Sequence, residues 1–72
     1  MKEIKRYLAF LCHVEDSDEI EVGSFSRLSA ALVNARVACR DAGVSKWDWV
    51  VDKKAPDGSL INRRSSLAGL ET

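Results

Sequence analysis

The chain has 72 residues, 46% of them hydrophobic and 31% charged, a composition that predicts one folded domain and excludes a disordered chain. Its eleven basic and eleven acidic residues cancel, which excludes the overall positive field of most nucleic-acid-binding domains and makes any such binding local. No apolar run reaches the length of a membrane span and the N-terminus lacks a signal-peptide cleavage site, so we expect a cytoplasmic protein without a membrane partner.

The first predicted element is a β-hairpin. Residues 5–14, KRYLAFLCHV, alternate as a strand does, and both faces are largely apolar, which is typical of a central strand. Residues 15–19, EDSDE, favour a turn, and EIEVG at 19–23 predicts the returning strand. We expect one face of the first strand to lie in the core under the helix, and this face consists of Leu8, Phe10, Cys12 and Val14.

The next predicted element is an amphipathic helix. Gly23 and the serines at 24 and 26 end the preceding strand, and either serine can cap the helix start. Gly43 then supplies the left-handed C-cap. Between these signals one apolar stripe recurs at helical spacing, formed by Leu28, Ala31, Leu32, Ala35, Ala38, Cys39 and Ala42. Its many small residues predict that the helix lies close on a sheet.

A second hairpin completes the fold. Residues 46–52, KWDWVVD, have the β-branched and aromatic composition of a strand, KAPDG at 54–58 is a turn sequence, and SLINRR at 59–64 returns. The elements assemble as ββαββ, an α+β fold in which one helix packs on one face of an antiparallel or mixed four-stranded sheet. We expect a single domain over residues 1–64 and a flexible or short helical tail at 65–72, and the strand order stays open.

Both tryptophans lie on one face of the third strand, because Trp47 and Trp49 are two residues apart. An orientation toward the helix is favoured, since large aromatic side chains dominate small cores. The open face of the sheet then carries Val50 with Tyr7 and Leu11, and these last two are candidate partner contacts. In the alternative orientation the tryptophans form an exposed aromatic patch beside arginines.

An acidic tip is predicted at the first hairpin, where five carboxylates fall within seven residues: Glu15, Asp16, Asp18, Glu19 and Glu21. Such a cluster steers association with a basic partner, and we name Asp16, Asp18 and Glu19 as candidate contacts. A solvated hairpin tip without a binding role is the alternative interpretation.

A basic patch is predicted across the second hairpin, formed by Lys53, Lys54, Arg63 and Arg64 with Trp49 between them. Cations around an aromatic ring suit single-stranded nucleic acid or an acidic protein surface. The alternative is an edge hairpin whose lysines and arginines prevent pairing with other chains.

The outer face of the predicted helix is less polar than a solvent-exposed face usually is. Val33 and Val37 lie four residues apart there, flanked by Arg36 and Arg40. Exposed apolar residues rimmed by arginines resemble a small protein interface, so these four are the leading partner contacts. There are two alternatives: this face makes a homodimer contact, or the residues LAGL at 67–70 cover it.

No residue pattern predicts catalysis, a metal or a cofactor. Cys12 and Cys39 are too few for a disulfide framework or a zinc site, and adjacent strand residues point apart, so His13 cannot activate Cys12. Neither a nucleophile elbow nor a glycine-rich phosphate loop is present. We therefore expect a protein that is not an enzyme.

The run GSFSRLSAALVNARVAC at 23–39 resembles a helix entry found in HicB-like antitoxins and other small bacterial and phage proteins, and this generic likeness assigns no residue a role. Our leading hypothesis is a small cytoplasmic protein-interaction module of the bacterial or phage accessory or inhibitor type. The second hypothesis is a nucleic-acid-binding module using the basic hairpin, and the third is a homodimer through the outer helix face.

Overall fold

The computed structural model describes residues 5–66, and within that range it contains four strands and one helix. The elements are β1 (Tyr7–His13), β2 (Glu19–Phe25), α1 (Leu28–Ala42), β3 (Trp47–Lys54) and β4 (Leu60–Ser65). The strands form one open antiparallel sheet in the order β2-β1-β3-β4. This confirms the predicted α+β class, and β1 is central as its two apolar faces predicted. The predicted tail from residue 67 onward lies outside the described residues.

Both hairpins close where the sequence placed its turn formers. In the first, the His13 amide donates to the Asp18 carbonyl at 2.8 Å, and Ser17 takes a positive φ of 63°. In the second, the Ala55 amide donates to the Ser59 carbonyl at 2.8 Å, and Gly58 supplies the required φ of 90°. A local turn therefore closes each hairpin: the acidic tip forms the first turn, and the second turn leads into β4, which carries Arg63 and Arg64.

Helix α1 begins and ends at defined positions. Arg27, rather than a serine, occupies the N-cap position, and its side chain makes no capping hydrogen bond. The predicted C-cap is confirmed, because Gly43 has a φ of 118° and its amide donates to the Cys39 carbonyl at 2.9 Å. Within the described residues no helix is long and apolar enough to span a membrane.

The core lies between α1 and one face of the sheet, and its centre is built from small residues. Ala31 and Ala35 are fully buried against Ala9 of β1 and Val51 of β3. Because three of these four side chains are single methyl groups, the helix approaches the sheet closely. Larger, partly buried side chains surround this centre: Tyr7, Val22, Phe25, Leu28, Leu32 and Trp49.

The predicted facing of β1 is wrong. Tyr7 packs against the helix-side core, and Leu11, which is only 2% exposed, pairs in register with Trp49 on that same side. The physical reason lies in Ala9, which lies between these two residues on the same face of the strand. Its small side chain fits beneath the alanines of α1. Tyr7 and Leu11 therefore lie beneath the helix and not on the open sheet face.

The opposite face of the sheet carries the set that was expected in the core. Phe10 pairs in register with Val50, and Cys12 pairs with Asp48, so these side chains point away from α1. Val14 ends outside the strand and is exposed. The expectation that Val50 lies on the open face agrees with this register, but its neighbour there in β1 is Phe10 and not Tyr7 or Leu11.

The helix covers only part of the sheet. It packs against β1, β2 and β3, and within residues 5–66 none of its α-carbons lies within 8 Å of an α-carbon of β4. Since β4 is the edge strand beyond β3, α1 leaves its helix side uncovered, and within residues 5–66 no other element packs there.

Candidate functional site

A groove runs between α1 and β4 on the helix side of the sheet, and we call it the α1–β4 groove. Its larger part has a volume of about 490 Å³, with Leu32 and Arg36 of the helix on one side and Asn62 and Arg64 of β4 on the other. Trp49 of β3 lies between them at the base. The arrangement follows from the strand order, because β3 is the last strand that packs against the helix and β4 lies beyond it in the sheet.

The groove continues along the sheet toward the start of the helix. A smaller hollow of about 120 Å³ shares Asn62 and Arg64 with the first and is lined further by Tyr7, Leu28 and Lys53. The two hollows therefore form one continuous surface. It combines two aromatic rings, two leucines and several cations.

Two cation–π contacts organise this surface. The Arg36 guanidinium lies over the Trp49 ring, 5.5 Å from its centroid, and the Lys53 ammonium lies 6.0 Å from the Tyr7 centroid. A ring beneath a cation attracts it without neutralising it, so the charge stays free to bind an anion. The sequence grouped Trp49 with the cations of the second hairpin, but the cation over its ring is Arg36, which was predicted as part of the outer helix face.

Every charged residue that lines the groove is basic. Among the described residues, neither Arg36 nor Arg64 forms an ion pair. Arg36 and Arg64 therefore give the groove a positive charge that is uncompensated within residues 5–66, whereas Arg63, which also lines it, pairs with Asp52. The whole chain has no net charge.

The predicted basic patch is divided between the two faces of the sheet. Lys53 and Arg64 lie on the helix side with Trp49, whereas Lys54 and Arg63 border a hollow on the other side. Arg63 is also neutralised, as its Nε and Nη2 donate to the two carboxylate oxygens of buried Asp52 at 2.6 and 2.9 Å. These bonds raise the pKa of the Arg63 guanidinium further. A single surface with all four cations does not form.

The open face of the sheet is mixed in charge. Phe10 is buried there beneath the Arg63 guanidinium, which lies 5.8 Å from the ring centroid. Glu19 and Glu21 of β2 border the same hollow, and they face Lys54 across it. Opposite charges already present on this face reduce its preference for a ligand of either sign.

The outer face of α1 adjoins the groove. Val33 and Val37 are 57% and 41% exposed, and Arg36 and Arg40 are exposed beside them. With 100° between successive residues, Arg36 lies between Leu32 in the groove and Val33 on the outer face. Arg36 is therefore the one predicted contact that the two surfaces share.

The acidic tip lies at the other end of the molecule's sheet, on the β1–β2 edge. Asp16, Asp18 and Glu19 are exposed as predicted, and Asp16 places a carboxylate oxygen 3.5 Å from Nδ1 of His13. The same nitrogen accepts the backbone amides of Glu15 and Asp16 at 3.3 Å. His13 thus has a structural role in the turn.

Comparisons with known protein families, curated proteins and solved structures found no match. Within residues 5–66 no group of three or more histidine, cysteine or acidic side chains is placed to hold a metal ion.

The two cysteines lie on opposite sides of the sheet and are both free thiols. Burial, followed by the charge of Glu19, raises the pKa of the Cys12 thiol, and burial followed by Asp48 raises that of Cys39. Cys39 also donates its proton to the Trp47 carbonyl at 3.1 Å. Raised pKa values disfavour the reactive thiolate at neutral pH.

We expect alkylation of Cys12 by iodoacetamide to have its pH midpoint above that of the same thiol in the urea-unfolded chain. A raised pKa moves the midpoint upward, whereas simple shielding lowers the rate equally at every pH. Mass spectrometry of a Cys39→Ser variant isolates this residue. Coincident midpoints in the folded and unfolded chains would contradict the prediction.

Proposed function

We propose that this chain is a non-enzymatic protein-interaction module and that the α1–β4 groove is its contact surface. The observation that carries the proposal is the uncovered helix side of β4, where Trp49 and Leu32 meet two unpaired arginines, Arg36 and Arg64. Aromatic side chains and arginine are the residue types that dominate the energetics of protein interfaces. The further expectation of a bacterial or phage accessory or inhibitor role, acting in the cytoplasm, stays a prediction.

The rim of the groove supports a protein partner as well. The exposed valines at 33 and 37 continue the surface beyond Arg36, and apolar area of this kind gains free energy when a protein covers it. The acidic tip lies at the opposite sheet edge, so it does not oppose an anionic ligand in the groove. Such a charge distribution orients an approaching partner.

A second candidate function is binding of single-stranded nucleic acid in the same groove. Trp49 and Tyr7 with Arg36, Lys53 and Arg64 provide rings for stacking and cations for phosphates. The small number of free cations argues against it, because affinity for nucleic acid depends on many phosphate contacts. It remains the competing outcome in the experiment below.

The test is affinity capture from a bacterial lysate with nuclease-treated and untreated arms. We expect one stoichiometric protein that survives nuclease and is lost with Arg36→Glu or Arg64→Glu. Lys46→Glu makes the same kind of charge reversal at an exposed residue outside the groove, and it should retain the partner. Circular dichroism of each variant establishes that it is folded.

Two outcomes would change the proposal. Recovery that disappears with nuclease and falls steeply between about 50 and 200 mM salt would favour nucleic acid. Loss of the partner with Val33→Glu, but not with the groove variants, would move the contact to the outer helix face and keep the protein-binding function.

A further inference from the structure

We propose that the occupant of the α1–β4 groove is an acidic amphipathic helix of the partner protein, lying beside α1 over β4. This inference rests on the proposed function and adds the conformation and the charge of the bound segment. Its apolar face would pack on Trp49 and Leu32, and its carboxylates would pair with Arg36 and Arg64.

The space beside α1 is long enough for about two turns of a second helix. A helix with its side chains is about 10 Å across, and neighbouring strands lie about 4.8 Å apart, so one helix cannot cover a four-stranded sheet. Here α1 covers three strands and leaves β4 free. The groove runs beside α1 from Leu28 to Arg36, a length of about 12 Å or two helical turns at 1.5 Å per residue. A second helix completes the layer that α1 begins.

A helix fits this groove better than an extended peptide does. The groove lies over the side chains of Asn62 and Arg64, whereas the outward backbone groups of β4 point sideways from the sheet edge. An extended peptide in the groove would bury its own amides and carbonyls without partners there, and that costs free energy. A helix satisfies its backbone internally and needs only side-chain contacts.

The charge of the occupant follows from the lining. Arg36, Arg64 and Lys53 are the free cations of the groove, while Arg63 already pairs with Asp52 on the other face. Arg36 is also held in place by its contact with the Trp49 ring. Carboxylates at helical spacing on one face of the partner can reach cations on both walls, because residues three and four apart lie on the same side of a helix.

The probe is a synthetic peptide of about 15 residues with leucines and glutamates at helical spacing, which matches the length of α1. The reporter is the Trp47→Phe variant, in which Trp49 is the one remaining tryptophan. We expect the peptide to shift Trp49 emission to shorter wavelength as the ring loses water. Arg36→Glu and Arg64→Glu should each weaken binding by about tenfold or more, and Lys46→Glu by about twofold at most.

Matched probes decide between the occupants. The same peptide with a central proline should bind about tenfold more weakly, because proline breaks the helix. Equal binding of the proline peptide, binding of its lysine counterpart, or tighter binding of oligothymidylate would each overturn the inference. Self-association of the chain in sedimentation, lost with Arg64→Glu, would overturn it in favour of a second copy.

The peptide experiment tests this inference and the lysate experiment tests the proposed function, so either one can fail while the other succeeds. If a protein partner is captured through Arg36 and Arg64 while the acidic helical peptide does not bind, the proposed function stands and this inference is wrong. If the peptide binds while the lysate yields only nucleic acid, the groove accepts acidic helices but the protein-binding function is wrong.

Discussion

Ala35→Leu should remove most of the protein's free energy of unfolding. Ala35 is fully buried and packs with Ala9 and Val51 at the closest approach of α1 to the sheet, so a leucine there has no space. Overpacking of a tight core costs about 3 kcal/mol, and the core of a domain this small supplies about 3–5 kcal/mol in total. Urea titration followed by circular dichroism measures the loss.

The matched control for this prediction is Ala42→Leu, the same change in the same helix at an exposed position. Alanine and leucine have similar helix propensity, so the control isolates packing from helix formation. We expect the free energy of unfolding to change by about 0.5 kcal/mol or less. If Ala35→Leu is as stable as Ala42→Leu, the helix does not lie at the distance that the structure gives it.

The sequence predicted the elements well because each is determined by neighbouring residues. The turn at 54–58 needs proline and glycine, the helix end needs Gly43, and each strand shows its own alternation. These signals act within a few positions, so a single sequence reveals them. They do not determine which of two apolar strand faces meets the helix.

The facing of β1 was missed for that reason. Both sets of alternate residues in β1 are apolar, and the set that contains Phe10 was assigned to the core. The signal that would have corrected this is Ala9, since the alanine stripe at 31 and 35 requires a small residue opposite it.

The candidate site was only partly predictable, because its residues come from four elements, and β1 and α1 are distant in the sequence from the second hairpin. Trp49, Arg64 and Lys53 were grouped as one surface from hairpin register, and the structure places them on the same side. Arg36 joined them only through the packing of α1 on the sheet. The groove itself depends on the strand order, which leaves β4 beyond the helix, and the sequence left that order open.

Arg63→Met should cost about 3 kcal/mol of stability, because it leaves the Asp52 carboxylate buried without its partner. The Asp52 side chain is 3% exposed and accepts both hydrogen bonds from the Arg63 guanidinium, whereas Arg63 itself is 55% exposed. Arg63→Met and Asp52→Val should therefore differ in the stability that each one loses. Asp52→Val leaves an arginine that water can solvate, so its cost should be clearly smaller.

The neighbouring residue provides the control. Arg64→Met makes the same substitution in β4 at a side chain that has no ion-pair partner among the described residues. Its effect should stay within about 0.5 kcal/mol. Equal losses for Arg63→Met and Arg64→Met would mean that the ion pair does not contribute to folding.

The double variant Asp52→Val with Arg63→Met separates the electrostatic cause from a loss of packing. Removing both charges removes the desolvation penalty, and replacing a buried ion pair by apolar side chains is often close to neutral. We therefore expect the double variant to recover most of the stability that Arg63→Met loses. The coupling free energy from the four urea titrations measures this recovery. If the double variant is no more stable than Arg63→Met, the cost arises from the lost contact of Arg63 with the Phe10 ring and not from the unpaired carboxylate.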